Sequence, residues 1–182
     1  MPLRRPALHC LICLALLGLY TACSAGPLDD VRALMSRGDL PAALVAADKA
    51  VQAQPQDANL RFLRGVVLMD LRRDEEAALQ FTTLTHEYPE LPDPYNNLAL
   101  LHARGGRLEL ARQALQSALL NDPKHRAARI NLGQVHLLLA VQAWEQAASA
   151  SPSDLALQRK LQGLRSLLAS DALASAAASA AR

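Results

Sequence analysis

Three prolines, Pro55, Pro89 and Pro123, stand 34 residues apart, and two further columns keep that period: Ala43, Ala77 and Ala111, then Gly65, Ala99 and Gly133. Composition alone does not place three independent columns on one spacing. A chain built this way repeats a supersecondary unit that cannot bury its apolar face alone, so the core must be shared between neighbours stacked along one axis. The clearest unit is Tyr95–Pro123, YNNLALLHARGGRLELARQALQSALLNDP. It reads as two amphipathic helices turned at Gly105-Gly106 and stopped by a proline.

Composition agrees with an all-α chain. Half the residues are hydrophobic but only 3% are aromatic, which suits Leu and Ala contacts between helices better than a β-sandwich or barrel. The formal charge of +2 is a property of the first residues. Arg4 and Arg5 precede any acid, and the rest of the chain carries 17 basic and 17 acidic residues. Such a balance gives no electrostatic footprint for nucleic acid.

In chain order, Pro27 with Asp29 and Asp30 opens the first helix, since proline and acids both suit a helix start. Gly38-Asp39 makes its turn, and Leu40–Gln54 follows with Ala43, Ala47 and Ala50 on the packing face. This first pair is Ala-rich and the weakest of the three full units. In the second pair, Leu60, Leu63, Val67, Leu68 and Leu71 form a helical stripe, and Ala77, Phe81 and Leu84 face inward from the partner helix. The acids Asp74-Glu75-Glu76 sit at that helix's positive end, where they compensate its dipole. The third pair, Pro92–Pro123, follows a proline-rich joint, EYPELPDP.

A fourth unit begins at Arg126 and then breaks the rule, because five residues are missing where a turn belongs. HLLLAVQAWEQAA holds no Gly, Pro or Asn, so one helix over 126–150 is expected, about 38 Å long. Ser151-Pro152-Ser153-Asp154 reads as a new helix start, with Ser151 as the cap. The helix after it carries Leu157, Leu161, Leu164 and Leu168 on one stripe and closes the open end of the stack. Residues 169–182 are Ala/Ser-rich and either prolong that helix or fray.

The pattern resembles the tetratricopeptide repeat family. Tyr95, Leu98, Ala99, Ala111, Leu115, Ala118 and Pro123 fall on its aromatic, Leu, small, Ala, large, Ala and Pro columns, and the 34-residue period is the family's. The resemblance implies a solenoid over 27–168, with about three full repeats, a fused fourth-repeat helix and a terminal cap. It further implies a concave groove lined by the first helix of each repeat. On this chain that groove is Phe62, Val66 and Met69, then Asn96, Asn97, Leu100 and Arg104, then Ile130, Asn131, Gln134 and Leu138. Asn97 and Asn131 are equivalent, and side-chain amides there could hold a peptide backbone. The family's carboxylate clamp needs basic residues where this chain has Leu28, Asp29 and Phe62, so recognition of an acidic C-terminal tail is not expected.

Residues 1–22 have the layout of a signal peptide: Arg4 and Arg5, then the apolar core LICLALLGL, too short to span a bilayer. Leu19-Tyr20-Thr21-Ala22-Cys23 resembles the lipobox of bacterial lipoproteins, with Tyr20 departing from the usual Leu. The resemblance implies lipidation of Cys23, a linker over 23–26 and, with Ser24 next, sorting to the outer membrane. Cleavage after Ala25, giving a soluble periplasmic protein, is the other reading. The three cysteines are Cys10, Cys13 and Cys23, so no disulfide framework or zinc ribbon is available to the repeats.

Little else carries chemistry. No HExxH, nucleophile elbow, phosphate loop or paired-carboxylate pattern is present. His102 and His136 share a column, but equivalent positions of stacked helices lie about 10 Å apart, too far to share a zinc at about 2.1 Å. Each stands where the family usually places tyrosine. His86 and His125 fall in inter-repeat turns and are expected to be solvated. The expectation is a non-catalytic scaffold or adaptor of the bacterial cell envelope, without cofactor, metal, nucleic acid or small-molecule substrate. It would bind a peptide or helix of another envelope protein. A pilotin-like assembly factor for a pilus, secretion or outer-membrane complex, and an accessory lipoprotein to a cell-wall enzyme, are the alternatives.

Overall fold

The computed structural model describes residues 26–180, with side chains through 169. The expected signal peptide and Cys23 lie outside them. The described residues form eight helices: α1 Pro27–Ser36, α2 Leu40–Ala53, α3 Ala58–Asp70, α4 Asp74–Glu87, α5 Pro92–Arg104, α6 Leu108–Asn121, α7 Arg126–Ala150 and α8 Leu155–Ala180. Local chemistry sets several of these starts. Asp39 accepts from the Ala42 N–H, and Asp57 accepts from those of Asn59 and Leu60, each satisfying amides that a helix start leaves orphaned. Asp74, Glu75 and Glu76 fill the first turn of α4.

The missing turn has the expected result. α7 is one helix of 25 residues. The start of α8 differs from expectation. Ser151 ends α7, its N–H bonded to the Ala147 carbonyl, and Asp154 is the cap that receives the Ala156 and Leu157 amides. A carboxylate is as good a cap as a hydroxyl, and only Asp154 stands directly before the first helical residue. α8 then continues through the Ala/Ser tail to Ala180.

Consecutive helices pack as antiparallel neighbours, and contacts beyond sequence neighbours fall on one side only. α1 touches α3, α3 touches α5 and α5 touches α7, whereas α2, α4 and α6 do not touch one another. The odd-numbered helices are therefore crowded together and the even-numbered ones splayed, which curves the stack with α1, α3, α5 and α7 on the concave side. Two cores run through it. The first joins α1 to α4, with Val31, Leu68, Leu84 and Phe81 fully enclosed and Leu101 of α5 added. The second, over α5 to α7, is mostly alanine: Ala99, Ala111, Ala114, Ala118 and Ala128 around Leu115 and Val135. Full burial of each large side chain contributes about 1.5–3 kcal/mol, so the first core outweighs the second. The stripe on α8 is as expected, with Leu161 buried and Leu157, Leu164 and Leu168 half-buried.

Candidate functional site

The concave face is built by side chains of α3, α5 and α7, and its character changes along its length. On α3, Phe62 and Val66 pack against the first core and Met69 belongs to it. Phe62 lies 5.7 Å from Phe81, ring centroid to ring centroid. This end is mostly core, leaving half-exposed edges of two side chains. On α5, Leu100 is half-buried and Arg104 exposed; on α7, Gln134 is exposed and Leu138 half-buried. Ile130 leaves 45% of its surface uncovered. It sits two residues, about 200° of helix rotation, from the fully buried Ala128.

The three asparagines form one chain rather than two free amides. Asn131 Nδ2 donates to Asn96 Oδ1 at 2.8 Å, and Asn96 Nδ2 donates to Asn97 Oδ1 at 3.2 Å. Asn96 and Asn97 are 7% and 9% exposed. Asn97 and Asn131 are thus linked only through Asn96, and the network fastens α7 to α5. Once in place, it offers a ligand fewer donors than the bare column suggests.

Other polar contacts join successive repeats, and these were not read from the sequence. Arg61 is buried, pairs with Glu87 and lies 5.8 Å from the Tyr88 ring centroid. The Arg61 hydrogen bond holds the Glu87 carboxyl below its ordinary range. Tyr88 Oη donates to the Gln56 carbonyl at 2.7 Å and Asn121 Nδ2 to that of Pro89. His125 is not solvated as expected. Its Nδ1 accepts the Ala128 N–H at 3.0 Å, so the proton sits on Nε2 and is given to Asp93 at 2.9 Å. It caps α7 and ties it to α5 at once.

His102 and His136 part company: His102 is half-buried and His136 exposed. Burial, and then the nearby Arg107 charge, push the His102 imidazole below its ordinary value. Its Nδ1 accepts from Arg107 Nε at 3.2 Å. Among the described residues no group of three or more His, Cys, Asp or Glu could hold a metal. None of their helices is long and apolar enough to cross a membrane.

One backbone feature stands apart. The left-handed turn position is glycine in two repeats, Gly38 at φ 75° and Gly106 at φ 70°, but in the repeat between them it is Arg72, at φ 63°. For a residue with a Cβ this conformation costs on the order of 1 kcal/mol. The shared column of Gly38, Arg72 and Gly106 is the signal from which sequence reasoning could have found it.

Fold and concave face define the class: a short, curved solenoid of stacked helix pairs with α1, α3, α5 and α7 on its inner side. The chain belongs to the tetratricopeptide repeat family, whose model matches residues 28–92 and 96–154. Comparison with curated protein sequences returns no match. Among solved structures it is similar to TTC0263, a thermophilic tetratricopeptide protein of Thermus thermophilus (20% identity, TM-score 0.58, 76% of this chain and 96% of that one). It is also similar to the second such domain of human RPAP3 in complex with an HSP70 peptide (18%, 0.56, 60% and 92%). A third is the TPR2B domain of yeast Sti1 in its Hsp70 complex (17%, 0.55, 62% and 98%).

Proposed function

We propose that this chain is a non-catalytic protein-interaction scaffold that takes a short segment of a partner protein on its concave face. The observation that carries the reading is Ile130. It is a large apolar side chain on an inner helix, 45% exposed, on a face whose other apolar side chains, Leu100 and Leu138, are half-buried, and covering it removes apolar surface from water. Peptide complexes of similar solenoids support the same use of the fold. The apolar stretch is short, so the bound segment is short too.

A photo-reactive amino acid at position 130 tests this. Adducts with a discrete protein are expected from that position and not from Val45, which is more exposed, at 69%, but stands on the outer helix α2. Equal labelling from both positions would sink the reading.

We also place the scaffold in the bacterial cell envelope, anchored through lipidated Cys23, on the strength of the leader and the cysteine that follows it. Cys23→Ser is expected to move the protein from the membrane to the soluble fraction; retention in the membrane rules out that anchor.

A further inference from the structure

The turns of the second and third repeats meet around a cavity of about 420 Å³, lined by Arg72, Asp74, Glu75, Arg104, Gly105 and Arg107 among others. Three guanidinium groups face two carboxylates there. Asp74 serves two of them, with Arg104 at 3.1 Å and Arg72 at 4.0 Å. Arg107 has no acidic partner among the described residues. Its Nε is given to His102, and its guanidinium lies across Gly105, where a Cβ would come within 2.6 Å of Nη1. The missing side chain at Gly105 seats this arginine.

Arg72 is the second observation. It holds a backbone position that the flanking repeats give to glycine, while its side chain is 71% exposed and touches Asp74 only at long range. A contact that exposed is weak. The left-handed turn closes α3, with the Arg73 N–H bonded to the Leu68 carbonyl at 2.9 Å; glycine would permit that bond without the cost, so what arginine adds at this position is its exposed side chain.

We propose that this cavity is a second binding site, separate from the apolar stretch around Ile130, for acidic side chains of a partner peptide. Arg72 and Arg107 present forked donors to a carboxylate, and Arg104 completes the positive wall. Glu75, which lines the same cavity and has no ion-pair partner among the described residues, competes with the ligand for that charge. The inference rests on the reading of the chain as a protein-binding scaffold but not on the apolar part of the groove.

The test uses the full chain and a labelled, capped hexapeptide bearing three glutamates, with its glutamine counterpart as control, followed by fluorescence anisotropy. The glutamate peptide is expected to bind and the glutamine peptide not. Arg107→Gln should weaken binding about fivefold or more, and Glu75→Gln should strengthen it about threefold. Arg72→Gly should weaken binding while raising Tm by about 2–4 °C, a pairing that a purely structural residue would not give. Equal binding of the two peptides, or a stabilised Arg72→Gly variant with unchanged affinity, overturns the site. Cross-linking at position 130 reads the groove separately: glutamate-peptide binding without adducts there sinks the groove alone, and adducts without glutamate-peptide binding sink this site alone.

Discussion

A single missing side chain sets the approach of α3 to α4. A Cβ on Gly65 would lie 2.6 Å from Cε1 and 2.9 Å from Cζ of Phe81, and Phe81 is fully buried with no exposed side to which it could move. Gly65→Ala is therefore expected to lower stability by about 1–3 kcal/mol through overpacking, despite alanine's better helix propensity. Chemical denaturation checks it, and a variant as stable as the parent would show that the ring can yield. The small residue at this column was legible in the sequence, as were Ala77, Phe81 and Leu84 on the facing helix. His125 was misread because a turn histidine is solvated by default. Its Nε2 is held by Asp93, 32 residues away, and no local pattern encodes that contact.

Among the elements, α7 is the one that departs from the repeat. Its buried residues, Ala128 and Val135, lie in its first half, against α6. Its second half has lost the returning helix of a full repeat and is met instead by α8, whose one helix neighbour among the described residues is α7. Arg165 pairs there with Glu145. Deleting residues 155–182 should abolish hydrogen-exchange protection in α7 beyond about residue 140 while α1 to α6 keep theirs, since a solenoid is stabilised between nearest neighbours. Loss of protection throughout the chain would show that the stack is one cooperative unit. The fused helix was legible because Gly, Pro and Asn are all absent from a long segment. The cap of α8 was less so, since Ser151 and Asp154 both qualify chemically and the choice depends on where α7 stops.

In the whole molecule, stability and the best sequence match do not coincide. The repeat that fits the family pattern best contributes alanines and Leu115 to the second core, while the Ala-rich first repeat adds Val31 and Leu44 to the core around Phe81. A pattern scores which columns are filled, whereas packing depends on the volume that neighbours bring to the same space. The curvature follows from contacts between alternate inner helices, and it decides which faces remain open to a partner. The concave face is consequently uneven, core-like at α3 and open at α7.

The sequence by itself determined the helical period, the positions of the turns, the fused helix and the inward columns, because each depends on spacing along one chain. Tertiary structure alone decided the rest. It joined Asn131, Asn96 and Asn97 into one network, drew Arg61 onto Glu87 and Tyr88, and gathered Arg72, Arg104 and Arg107 around a single cavity. Those contacts form between repeats, where the distance between two side chains is set by how the helices stack and not by how many residues separate them.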